Sequence, residues 1–217
     1  ELAFKRGRLQ EAAEILETAL RNMGQWVPRT LVGYTAGVAW EGWVQLLHTL
    51  LPSFFVHRRN EIPIGMERVR IGLMSRLAYL NWFARGVAPT LWAHLAEMNR
   101  AEIYLPSLEL AQAWSEHAPA LSMVPLHKRG ISYGEKSLKI RRAHGHRWGM
   151  AQSLHFLGLT QHSAGKLRES RSSLQQAVDI FEQTGDLWEA NTVRYQLGLV
   201  HYRMGNPELA IEYSKQV

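Results

Sequence analysis

Gly145-His-Arg-Trp148-Gly-Met-Ala151 is answered forty residues later by Gly185-Asp-Leu-Trp188-Glu-Ala-Asn191. At the same offset Leu157-Gly158-Leu159 returns as Leu197-Gly198-Leu199, and Gly165-Lys-Leu167 as Gly205-Asn-Pro207. One offset shared by several punctuating residues is the mark of stacked structural units, each unable to bury its apolar face alone. The rest of the 217-residue chain is read outward from this stretch.

Helical signals run along the whole length. Apolar residues at Leu9, Ala12, Ala13, Leu16, Ala19 and Leu20 lie on one helical face, ended by Gly24 and Pro28. Further helices are expected over Glu67–Arg85, Thr90–Tyr104 and from Ser107, a good N-cap residue. They continue over His127–Ala143, Trp148–Ser163, Leu167–Thr184 and Trp188–Met204, with a last one opening at Pro207. His57–Gly65 reads as an exposed loop, and Pro119 and Pro125 as a short or kinked helix end. No alternating strand pattern occurs, so the fold expected is all-α, built of antiparallel helix pairs.

Thr30 caps an apolar segment, Leu31 to Leu51, long enough at about 20 residues to be weighed as a membrane span. Glu41, Gln45 and His48 lie within it, and a central charge costs roughly 2.5 to 3.5 kcal/mol even on the lenient insertion scale. A buried or partner-covered helix is therefore the expectation, with membrane contact the lesser alternative. Gly33, Gly37 and Gly42 would let another helix approach closely. Trp26, Trp40, Trp43, Trp82 and Trp92 are expected to pack this helix onto its neighbours, and Trp148 and Trp188 to wedge between successive pairs.

Cysteine is absent, which excludes disulfides, thiolate zinc sites and cysteine nucleophiles and suits a reducing compartment. The chain starts at Glu1 with no signal-peptide layout and stops at Val217 within a helical pattern, so a piece of a longer cytoplasmic protein is expected. The net charge of +6 is local: Lys128, Arg129, Lys136, Lys139, Arg141, Arg142 and Arg147 face only Glu135 between Pro125 and Met150.

Leu157-Gly158, Gly165 and Ala177, with Leu197-Gly198, Gly205 and Ala210, resemble tetratricopeptide repeats. Gly7, Ala12 and Ala19 look like a second helix of the same type. Ser170 departs from the family's small alanine, Pro125 takes a turn position, and the period exceeds the usual 34 or so. The resemblance implies a right-handed superhelix of helix pairs, a TPR-like α-solenoid. Its divisions would be residues 1–25 as the end of a unit, 26–65 as an embedded insertion, and 66–217 as repeats. The Gly-Asp-x-Trp junction is similar to the C-terminal helical arrays of large bacterial multidomain signalling proteins: signal-transducing ATPase regulators, kinases and cyclases. That likeness implies a non-catalytic scaffold binding a protein, a peptide or an adjoining domain.

In that family the first helix of each pair lines a concave groove. Register carried from Gly158 and Gly198 puts Gln152, His155, Leu159 and His162, then Thr192, Tyr195, Leu199 and Tyr202, on that surface. One period earlier it adds Gln112, Ser115 and Ser122, with Arg76 from the earlier pair. The carboxylate-clamp variety needs Lys and Asn where His155 and Leu159 stand, so an acidic chaperone tail is not the expected ligand.

The alternative function is nucleic-acid binding by Lys128, Lys136, Lys139, Arg142 and Arg147, which would contact phosphates with strong salt dependence. Ten histidines suggest metal, yet no Cys or His-Glu-x-x-His array accompanies them, and no metal site is expected. Ser115-Glu116-His117 are helix neighbours that point in different directions and cannot form a relay. Phosphate-cradling and dinucleotide loops are absent, so no cofactor and no catalytic centre are expected in this segment.

Overall fold

A computed structural model describes residues 8–216, and the helical reading of Gly7 lies outside the described residues. Eleven helices and no strands occur among them. They are α1 (Leu9–Asn22), α2 (Leu31–Leu50), α3 (Pro52–Phe55), α4 (Gly65–Ala84), α5 (Val87–Glu102) and α6 (Leu108–Ala120). After these come α7 (His127–Ala143), α8 (Arg147–Ser163), α9 (Leu167–Gln183), α10 (Leu187–Arg203) and α11 (Pro207–Lys215). The chain is all-α, with helices packed in adjacent pairs as in a TPR-like solenoid. The chain divides into two compact units between Ala113 and Trp114.

In the second unit the sequence period of forty divides in two. Helices α7 to α10 are each 17 residues long, and successive helices from α7 to α11 begin twenty residues apart. The reason lies in the turns. Gly145, Gly165, Gly185 and Gly205 all adopt positive φ, between 61° and 81°, where a Cβ would be strained. Behind each, two backbone bonds close the helix end: Gly165 N–H donates to His162 O and Lys166 N–H to Gln161 O, and the other three ends repeat the pair. This is the Schellman closure, which satisfies carbonyls the helix leaves open. Side-chain identity alternates while backbone geometry does not, so the pattern repeats at forty and the turn at twenty.

Helix crossings explain the remaining family-like positions. A Cβ on Gly158 would lie 2.7 Å from Leu174, so only glycine lets α8 and α9 cross this closely. Ser170, where the family has alanine, is buried and donates its hydroxyl to Gly158 O at 2.8 Å. The core there is Leu154, Leu174, Ala177, Phe181, Val193, Leu197 and their neighbours.

In the first unit α1 packs on α4, α4 on α5, and α5 on α2. Ala13, Leu20, Met74, Leu77, Trp92 and Ala93 form its core. Residues expected in segment 26–65 thus share one body with α4 and α5. The loop after α3 is exposed at Arg58–Asn60 yet tied down: His57 and Arg59 N–H donate to Glu102 O and Ile103 O.

Helix α2 departs from expectation. Thr30 caps it through Gly33 N–H at 3.1 Å, but Tyr34, Glu41, Gln45 and His48 face inward. Tyr34 donates to buried Glu17 at 2.7 Å, Asn99 donates to Glu41 at 2.8 Å, and Gln45 and His48 both reach Glu102. Of the three glycines, Gly37 makes the close approach: a Cβ there would meet Trp92 at 2.6 Å. Trp40 and Trp43 are 65% and 57% exposed and do not fix α2 to its neighbours, contrary to expectation. Trp92 does, buried edge-on against Trp26 and Tyr34. Among the described residues no helix is long and apolar enough to cross a membrane.

Candidate partner-binding site

Helix α10 has two distinct sides. Ala190, Val193, Leu197 and Val200 are fully buried against the helices flanking α10. Tyr195, Leu199 and Tyr202 lie on the other side, exposed at 51%, 37% and 69%. Their spacing of four and three residues places them on one face, with Tyr195 and Tyr202 about 10 Å apart along the axis. Thr192, half-buried one turn before Tyr195, donates its hydroxyl to Trp188 O. At the far end Arg203 donates to both His162 O and the His162 ring, at 3.2 and 3.3 Å. Burial and that guanidinium both hold the His162 imidazole below its usual range, so it stays neutral at pH 7.

The other residues expected on the groove are less accessible. Gln152 is buried and accepts from Arg141 at 2.8 Å. His155 is 5% exposed, stacked on Phe156, and neither ring nitrogen meets a hydrogen-bond partner. Burial pushes its pKa down to about 4. Ser115 is fully buried, while Gln112, Ser122 and Leu159 are half-buried. Arg76 is exposed on α4 in the first unit. The structure therefore brings together Thr192, Tyr195, Leu199, Tyr202 and His162, and encloses Gln152, His155 and Ser115. Arg203, which sequence reasoning missed, belongs with the first set. Its place two turns after Thr192's successor Tyr195 was the available signal.

The five cations expected to form a patch, Lys128, Lys136, Lys139, Arg142 and Arg147, are all exposed. Two others counted in the local charge excess are not free surface charge. Arg141 is buried, bonded to Gly149 O, Ser153 and Gln152, and Arg129 lies over the Tyr133 ring. Lys136 sits 5.6 Å from the Trp114 ring. His117, from the Ser-Glu-His run, packs edge-on against Tyr133.

The tetratricopeptide repeat family model matches residues 192–217, which carry most of the α10 face and all of α11. No curated protein matches the chain. The match supports a helical repeat of that family at this end. Repeats of this kind generally mediate protein–protein interaction and are generally non-catalytic.

Proposed function

We propose that the chain is a non-catalytic interaction module that holds a peptide, or a segment of an adjoining domain, against the outer face of α10. The observation that carries this reading is the aromatic face of Tyr195, Leu199 and Tyr202 inside the segment that matches the repeat family. Rigid phenol rings offer large contact area at low entropic cost, with a hydroxyl for hydrogen bonding. Arg203 and the neutral His162 at one end suit a ligand with apolar side chains followed by a carboxylate.

Regulation follows from the same arrangement. A ligand on α10 would stiffen the helices stacked beside it and so bias a neighbouring output domain, as in a cytoplasmic signalling protein of bacterial type. The test is selection of peptides from a displayed library on the intact chain, counter-screened with Tyr195→Ala plus Tyr202→Ala. Enriched sequences should bind the wild type at least ten times more tightly than the variant. Equal binding by both would sink the reading. Labelled DNA across a salt series serves as the control for the basic face of α7, and tight binding at low salt would favour nucleic acid instead.

A further inference from the structure

The outward side of α2 carries Val32, Trp40, Trp43, Leu46 and Leu50, exposed at between 42% and 78%, with Ala36 and Ala39 exposed among them. The stripe is roughly 27 Å long at the helical rise. Its single acid, Glu41, turns inward to Asn99, so no ionised side chain interrupts it. Phe54 of α3, 71% exposed, and Leu51 prolong it. Monomeric proteins rarely leave a contiguous apolar patch of this kind in water.

We infer that this face joins two copies of the chain, α2 against α2 about a twofold axis. A twofold interface must be self-complementary, residue i on one copy meeting j on the other and the reverse. With the axis passing between Ala39 and Trp40, antiparallel helices set Trp40 opposite Ala39 of the second copy and Trp43 opposite Ala36. Both tryptophans find an alanine, as ridges fitting grooves require. An uncharged stripe offers nothing to a charged partner and everything to its own duplicate.

The area is also right. At about 150–250 Å² for a whole aromatic side chain, Trp40, Trp43 and Phe54 expose roughly 300–500 Å² between them. The aliphatic residues add about as much again, which brings each copy near the ~800 Å² of a standard interface.

Sedimentation equilibrium of the intact chain should give a concentration-dependent mass reaching about twice 24.8 kDa. Ala39→Trp is the decisive variant. It lies at an exposed position, so the fold tolerates it, and it places tryptophan against tryptophan at the axis. It should weaken dimerisation at least tenfold, with a melting temperature unchanged at concentrations too dilute for dimers, although it enlarges the apolar surface. In this cysteine-free chain Ala39→Cys should cross-link to a dimer under mild oxidation, whereas Ser172→Cys should not. A wild type that stays monomeric, an Ala39→Trp protein that still dimerises, or polydisperse aggregation would each overturn the inference. Flotation with phosphatidylcholine–phosphatidylglycerol vesicles that persists in Ala39→Trp would overturn it too, in favour of a lipid surface. None of these results depends on peptide binding at α10.

Discussion

The Trp148 indole donates to Asp186 at 2.9 Å, across thirty-eight residues. Asp186 uses its other carboxylate oxygen to cap α10 through Glu189 N–H. One side chain therefore starts a helix and fastens it to the first turn of α8. Replacing Asp186 with Ala removes both functions and should cost about 1–2 kcal/mol. Asp186→Asn, which keeps one acceptor, should cost less than half of that. Urea unfolding curves of the two variants check the order.

Glycines at crossings and glycines on surfaces should respond oppositely. Gly72 in α4 is exposed with nothing near its would-be Cβ, so Gly72→Ala should stabilise by about 0.5–1 kcal/mol. Gly158→Ala drives its methyl into buried Leu174, and overpacking of about 1–3 kcal/mol outweighs the same helical gain. Thermal unfolding should move up for the first and down for the second.

Acid should weaken both units. His94 in the first and His155 in the second are held near pKa 4 by burial, against about 6.5 when unfolded. Between those values the unfolded chain binds protons that the folded chain refuses. Stability is full above pH 6.5 and falls toward pH 4, by roughly 3 kcal/mol for each histidine. His155→Phe, which also removes two unsatisfied nitrogens, should flatten part of this slope and leave stability at pH 7.5 equal or higher. Denaturant unfolding at pH 7.5 and pH 5 reads the difference.

The inward polar contacts of α2 should behave as a unit. His48→Leu leaves the Glu102 carboxylate without one of its buried donors, and should destabilise by about 2–4 kcal/mol despite the added apolar area. Leu50→Ser, on the exposed side, should change the stability of the monomer, read at concentrations too dilute for dimers, by less than about 0.5 kcal/mol.

Much of the fold was legible because its punctuation is local. Thr30, Ser107 and Pro207 sit at the helix starts they predict, and His127–Ala143 matches α7 at both ends. The twenty-residue spacing of Gly145, Gly165, Gly185 and Gly205 was equally visible, but the stronger forty-residue side-chain match hid it. What a sequence window cannot hold is the partner at a distance. The inward turn of Glu41 and His48 depends on Asn99 and Glu102, more than fifty residues away. Hydropathy alone would therefore assign the apolar stripe of α2 to the core. Groove register from the resemblance placed Tyr195 and Tyr202 on an open face, yet gave no sign that Gln152 and His155 would be enclosed by neighbouring helices.

Hydrogen–deuterium exchange of the intact chain, with and without a peptide selected on it, tests the central claim most directly. Protection confined to α10 and the end of α8, and absent in Tyr195→Ala plus Tyr202→Ala, is the predicted result. Protection centred on α7 or on the first unit, with α10 unchanged, would contradict it.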